Sequence, residues 1–176
     1  VEDVTELHLL GQELRHQSLH DALTGLPNQQ FFMSTLERVL EHASHGSRII
    51  VCKVDLDSLS AVNDGFGRET GDQVLQSVAG RLQSIVASEK AIVARFGSDE
   101  FAILVENSAT TPDVSALAAR INSELAEPVS TDSGRVWMSG CVGVAEYQGR
   151  GGKVARLLRA AEATLHAAWV ADDLGQ

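Results

Sequence analysis

Positive charge is scarce in this chain: 14 Lys and Arg stand against 24 Asp and Glu, a net charge of −10 over 176 residues. A protein that grips nucleic-acid backbones needs a basic face, and no Lys/Arg cluster is visible here, so nucleic acid is not an expected partner. A polyphosphate substrate would need a divalent metal to supply the missing charge. Cysteine is scarce too. Cys52 and Cys141 each lie within an apolar, strand-like run and read as small core residues, neither a disulfide nor a metal pair. That usage fits a reducing, cytoplasmic setting. No apolar run is long enough to cross a bilayer, no signal peptide opens the chain, and no repeat or low-complexity segment interrupts it. The first residue is Val1 rather than Met, so a piece of a longer protein is expected.

What remains is an ordinary globular composition, 44% hydrophobic and 22% charged, with enough length for one domain with a substantial core. Residues 5–19 predict a helix with Leu7, Leu10 and Leu14 on one stripe; this is either a helix packed on its own domain or a dimerising connector. Gly25 and Pro27 punctuate a turn. Asn28 can cap a second helix carrying Phe31, Phe32, Leu36, Val39 and Leu40 at helical spacing. The run from Arg48 to Asp55 predicts a buried central strand closed by Asp55-Leu56-Asp57. A short helical turn follows at Leu59–Asp64, then a break at Gly65-Phe66-Gly67. Gly71-Asp72 precedes an amphipathic helix through Val74, Leu75, Val78, Leu82 and Val86.

Two apolar runs, Ala91–Ala94 and Phe101–Val105, flank a short polar insert containing Gly97, which predicts a β-hairpin with Asp99 and Glu100 at its tip. Pro112 starts a further helix (Val114, Leu117, Ala118, Ile121, Leu125) that stops before Pro128. A strand over Val136–Val144 and a last helix over Leu157–Val170 complete the chain. The expected fold is an α/β sandwich with a mainly antiparallel central sheet flanked by helices.

A carboxylate at the end of a buried strand is costly unless paired or bound to metal. If the Asp55 strand lies beside the hairpin, Asp55, Asp99 and Glu100 meet at one sheet edge. Such a group either rings a hard cation such as Mg²⁺, as in metal-assisted phosphoryl or nucleotidyl transfer, or forms a solvated acidic rim. Asn63 and Asp72 either hydrogen-bond a base edge or serve as turn and helix-cap residues. His16 and His20 are spaced i, i+4 with no third ligand in sight, which makes them surface histidines. Trp137 and Trp169 read as core or interface aromatics.

These motifs resemble those of the GGDEF domain family, the diguanylate cyclases, from about Asp21 to the last helix. Asp21-Ala22-Leu23-Thr24-Gly25-Leu26-Pro27-Asn28 is similar to the family's opening D-x-L-T-G-L-P-N. Asp55-Leu56-Asp57 followed by Asn63-Asp64 and Gly71-Asp72 fits its strand, nucleotide loop and helix start. Arg95-Phe96-Gly97-Ser98-Asp99-Glu100-Phe101 stands where the family has R-Y-G-G-D-E-F. The resemblance implies a fold akin to class III nucleotide cyclases and polymerase palm domains. It also implies two domains facing each other as a homodimer, each holding one GTP, that together make cyclic di-GMP. Carried over residue by residue, Asp55 and Asp99 would hold Mg²⁺ with the Leu56 carbonyl. Glu100 would serve the metal and the 3′-hydroxyl, with Asp99 and Glu100 as the catalytic pair. Asn63 and Asp72 would hold guanine, and Leu59, Ser60 and Arg68 would border the nucleotide.

The chain also departs from the pattern. Ser98 replaces the second Gly of the signature, where a Cβ would restrict close backbone approach. Leu59-Ser60 replaces a Phe-Lys pair whose lysine faces phosphate. Gly67-Arg68 replaces Gly-His. In the last helix Trp169 stands for a phosphate-binding Lys and Asp173 for an Arg. A charge-assisted phosphate contact is worth about 1.5–3 kcal/mol, so losing several predicts a large loss of GTP affinity or rate. The inhibitory product site, R-x-x-D, is replaced by Ser88-Glu89-Lys90-Ala91. Val1-Glu2-Asp3-Val4-Thr5-Glu6 resembles the tail of a PAS sensor domain, so residues 1–19 are expected to be a connector helix and 20–176 the GGDEF domain; an EAL phosphodiesterase domain often follows a degenerate GGDEF domain. The leading expectation is a degenerate, GTP/Mg²⁺-binding or dimerising regulatory module. The alternatives are an active diguanylate cyclase and a signal connector that binds no nucleotide.

Overall fold

The computed structural model describes residues 2–43, 47–106, 113–147 and 156–164, apart from the side chains of 2–5 and 15–17. The elements run α1 (Glu2–Leu19), α2 (Gln29–Glu41), β1 (Ile49–Leu56), α3 (Leu59–Phe66), α4 (Arg68–Ile85), β2 (Ala91–Arg95), β3 (Glu100–Glu106), α5 (Val114–Ala126), β4 (Val129–Thr131), β5 (Gly134–Val136) and β6 (Gly140–Tyr147). A helix over residues 156–164, α6, follows. Four strands form one sheet in the order β2-β3-β1-β6, and every pairing is antiparallel. The predicted α/β sandwich is the observed one.

Strand alternation explains the two cores. On β1, Ile50, Cys52, Val54 and Leu56 face one side, where Val74, Leu75, Val78 and Leu82 of α4 and Leu117, Ile121 and Leu125 of α5 cover them. Ile49 and Val51 face the other side, packed with Phe32 and Leu36 of α2 and with Leu157 and Ala161 of α6. With helices on both faces, β1 is buried along its whole length except for Asp55, which is why its sequence is mostly apolar, with Lys53 the buried exception. Both cysteines are buried and free. Cys52 lies opposite Val144 and Cys141 opposite Asp55, so they are not cross-strand neighbours. Burial pushes the Cys52 thiol up to about 12, which leaves it inert.

Local signals account for the element ends. Asn28 caps α2 by accepting the Phe31 N–H at 3.1 Å. Arg81 donates to the carbonyls of Glu124, Glu127 and Pro128 and so satisfies the C-terminal end of α5. The break between α3 and α4 is one residue, Gly67, at φ +94°, a backbone value that side-chain-bearing residues rarely adopt.

Four sequence expectations change. The segment 59–66 is a two-turn helix, not a single turn with a three-residue break. Helix α4 begins at Arg68, so Gly71 and Asp72 lie inside it and do not precede it. A hairpin, β4–β5, that the sequence reading lacks folds against α4 through Gln73, whose side-chain amide donates to Asp132 Oδ2 and accepts from the Asp132 N–H. The strand expected over Val136–Val144 is two, because Trp137, 65% exposed, Met138 and Ser139 turn the chain between β5 and β6. Pro112, the distal part of the last helix, Trp169 and Asp173 lie outside the described residues. Helix α1 carries Leu7, Leu9, Leu10 and Leu14 exposed to solvent. Among the described residues, no helix is long and apolar enough to cross a membrane.

Candidate functional site

The end of β1 and the start of β3 build the site. Asp55 and Glu100 are cross-strand partners, and the Leu56 N–H donates to the Asp99 carbonyl at 2.9 Å. Asp55, Asp99 and Glu100 therefore share one sheet edge. The same-face neighbours of Asp55 on β1 and β3 are Lys53 and Glu100, so Asp55 and Glu100 lie on the α2/α6 side. Asp57 is one step beyond, in solvent. It accepts a short hydrogen bond from the Ser139 hydroxyl, while its own N–H donates to the Ser139 carbonyl at 3.2 Å.

Burial pushes the Asp55 carboxyl above its ordinary value of 3.8. The charges of Asp99, Glu100 and Asp57 push it further, and Lys53 opposes them. A carboxyl raised by folding disfavours the folded state while it is charged. Replacing Asp55 by Asn is therefore expected to raise stability at neutral pH. The gain should fade as pH falls through the raised folded value, where Asp55 is protonated anyway. Urea unfolding of both proteins across that range tests the sign.

Lys53 is the residue that the sequence reading missed. It sits within the apolar run of β1, 1% exposed, and its cross-strand neighbours are Ala102 and Gly143, small residues that leave room for its stem. Its ammonium forms an ion pair with Glu100 and stands 3.8 Å from the Phe96 ring centroid. A buried lysine in a strand demands a partner, and that demand was the available signal.

The hairpin tip is held by Arg95. Its guanidinium donates to both carboxylate oxygens of Asp21 at 3.1 Å, to the Gly97 carbonyl at 3.1 Å and to the Ser98 carbonyl at 2.9 Å. Burial alone would raise the Asp21 carboxyl. The Thr24 hydroxyl and N–H and the Arg95 guanidinium outweigh that and hold it below its ordinary value. Ser98 is exposed, and among the described residues every residue other than glycine keeps φ negative, so Ser98 is unstrained in the turn. A Cβ on Gly97 would meet only Glu100 Cβ, at 3.9 Å. The turn itself needs neither glycine; only a closely approaching ligand would.

Asn63 lies on α3, and its Oδ1 is buried with no hydrogen-bond partner among the described residues. It occupies the space that a side chain on Gly71 would fill: a Cβ there would stand 1.7 Å from Asn63 Oδ1. An unpaired buried acceptor is expensive and calls for a donor. Asp72 is the next residue on α4, half-buried. Ser60 and Arg68 are exposed, and Leu59 is a core residue that offers only backbone. A cleft of about 410 Å³ lies elsewhere, beside the hairpin tip between Arg95–Ser98 and Asp21, Asn28, Gln29 and Gln30; Asp55, Asn63 and Asp72 do not line it.

The donor set fits a hard divalent cation in its chemistry, since carboxylates that drive up the Asp55 value are relieved by positive charge. It is less closed than the sequence implies. Among the described residues, no three His, Cys, Asp or Glu side chains gather around one point, and Glu100 turns to Lys53.

The family model for "Diguanylate cyclase, GGDEF domain" matches residues 18–171. The chain is 36% identical over 157 residues to the diguanylate cyclase TpbB of Pseudomonas aeruginosa, covering 88% of this chain and 36% of that protein. It is 34% identical over 156 residues to the cyclic di-GMP phosphodiesterase NbdA of the same species, covering 87% of this chain and 19% of that one. The chain thus spans about a third or less of these relatives. Among solved structures, the coiled coil and GGDEF domain of DgcB from Caulobacter crescentus, in complex with c-di-GMP, superimposes with a TM-score of 0.83 at 26% identity, covering 97% of this chain and 90% of that one.

Proposed function

The chain belongs to the GGDEF family, and from that premise we propose that it is a regulatory domain of cyclic di-GMP signalling, one that binds GTP with Mg²⁺ at the β1–β3 edge and turns it over slowly or not at all. Domains of this family bind GTP, use divalent metal ions and act as dimers. The observation that carries the binding half is the orphaned Asn63 Oδ1 beside Gly71, a buried acceptor suited to a guanine N–H. Asp72, the residue after Gly71 on α4, would accept a second one. Asp55 and Asp99, with the Leu56 carbonyl, would hold the metal, which when bound supplies the positive charge that a triphosphate needs. The first-turn N–H groups of α3 have no intrahelical partners and no side-chain cap, and they suit a phosphate.

The impaired half rests on what surrounds those groups. Ser60 is an exposed hydroxyl on α3 where the family pattern has a phosphate-facing lysine. Glu100, to which the resemblance gives the 3′-hydroxyl, is paired with Lys53. The exposed leucines of α1 fit a parallel coiled coil with a second copy, which would bring two domains face to face and pass on the state of an upstream PAS-like sensor or a downstream EAL domain. A cytoplasmic setting belongs to the same reading. The active-cyclase reading keeps one specific support: Asp55, Asp99 and Glu100 all persist at one edge.

The test is to incubate the purified chain with GTP and Mg²⁺ and to measure binding and cyclic di-GMP separately. Binding without appreciable product is expected. Rapid turnover would establish the active cyclase instead, and no binding at millimolar GTP would leave only a connector. In the quadruple variant Ser60→Lys, Ser98→Gly, Trp169→Lys, Asp173→Arg, product formation is expected to rise by orders of magnitude, since each restored phosphate contact is worth about 1.5–3 kcal/mol.

A further inference from the structure

Buried lysines are rare because desolvating an ammonium is costly, and Lys53 is buried beside the group of carboxylates where a divalent ion is expected. Its position is built, not incidental. Ala102 and Gly143 make room on either side, Phe96 covers the ammonium, and Phe96 is itself fixed edge-on against the buried Phe32 at 5.1 Å. Glu100 is 32% exposed along its side chain, yet one of its oxygens turns inward to Lys53 and away from solvent. Three carboxylates at this edge carry three negative charges; Lys53 returns one.

We propose that Lys53 is a resident cation of the acidic edge: it withdraws Glu100 from the metal-ligand set and leaves Asp55 and Asp99 to hold a single divalent ion. This rests on the metal-binding reading above and adds to it which carboxylates the ion meets. Lys53 acts through Glu100 and is a positioning residue. Its ammonium repels an incoming divalent ion, and its pairing removes a donor, so both effects lower metal affinity in the same direction.

The experiment titrates Mn²⁺ alone, with no nucleotide, into the chain and its variants, reading free Mn²⁺ by electron paramagnetic resonance. Lys53→Met keeps the stem and removes the charge. Its Mn²⁺ dissociation constant is expected to fall roughly tenfold below that of the unmodified chain. A purely structural role for Lys53 would leave affinity unchanged or weaken it, and either result overturns the proposal. Should Lys53→Met fail to fold, two further variants decide. Glu100→Gln removes a charge but no ligand and leaves Lys53 unpaired, so it is expected to lose only a few-fold, while Asp55→Asn removes a charge and a ligand and loses roughly tenfold or more. Equal losses from both overturn the proposal. Tightened binding in Lys53→Met upholds it even if the unmodified chain binds too weakly to measure, a result that would count against the metal half of the proposed function alone. Mn²⁺ binding to none of the proteins overturns both, and equal, measurable binding to the unmodified chain and Lys53→Met overturns this inference only.

Discussion

Arg95→Ala is expected to lower stability by about 2–4 kcal/mol, a fall of roughly 5–15 °C in Tm for a domain of this size. The magnitude follows from what the guanidinium joins. Its side chain is 14% exposed and that of Asp21 is 22% exposed, so the pair is too enclosed to be dismissed as a surface ion pair. The bonds to Asp21 come from one nitrogen, while the other two nitrogens hold the carbonyls of Gly97 and Ser98. Truncation would leave Asp21 without its countercharge and both turn carbonyls without a donor. The main-chain bond from the Arg95 N–H to the Pro27 carbonyl at 3.0 Å and the buried Leu26 would still hold the loop at residues 20–28, so the loss falls on the side-chain contacts. Arg95→Lys keeps the charge and loses the fork, so it should recover less than half of the loss.

The pH dependence of that loss has a definite sign. Asp21 is held below its ordinary value of 3.8 when folded, so its contribution is fully present above that value and disappears as pH falls through the lower folded value. In Arg95→Ala the Thr24 bonds remain, at 2.7 Å from the hydroxyl and 2.9 Å from the N–H, and so does part of the acid sensitivity. Urea unfolding of both proteins at neutral pH and below 3.8 should therefore show the difference between them shrinking in acid. A difference that is constant with pH would mean that Arg95 acts through the turn carbonyls and not through Asp21.

The elements with a strong period or a strong cap were legible in the sequence. The Asn28 cap, the β2–β3 hairpin and the apolar stripe of α4 are each dictated by neighbours within a few residues. What escaped depends on partners far along the chain. Lys53 reads as one polar letter in an apolar strand, and its meaning comes from Glu100 and Phe96, more than forty residues on. The β4–β5 hairpin has three-residue strands that bury little besides Val129 and Val136, too short for alternation to register. Gly71 reads as a helix start because glycine usually breaks helices. Its place inside α4 makes sense only once Asn63 is seen to fill the missing side chain's volume. The acidic edge was legible as a convergence of Asp55 with the hairpin, and the register bears out that meeting. That Glu100 turns to Lys53 was not legible.

Gly71→Ala is expected to separate stability from nucleotide binding. A methyl group at this position would lie 1.7 Å from Asn63 Oδ1 and 2.8 Å from its Cγ, so the Asn63 side chain must leave. Overpacking that cannot relax costs about 1–3 kcal/mol. Two terms run the other way. Alanine is favoured over glycine inside a helix by about 1 kcal/mol, and release of an unsatisfied buried acceptor returns about 1–3 kcal/mol. Net stability should therefore change by no more than about 1 kcal/mol, while GTP affinity falls roughly tenfold or more for want of the Asn63 acceptor. If Asn63 were only a packing residue, the strain would remain and no binding would be lost: urea unfolding would show the full destabilisation, and titration with GTP would show none of the defect. Asn63→Ala is the companion measurement, because it removes the same acceptor without crowding Gly71. Similar GTP affinities for the two variants, with the native helix contacts retained in both, would place the effect on that one oxygen. Stability falling while GTP affinity holds would return Asn63 to the role of a packing residue.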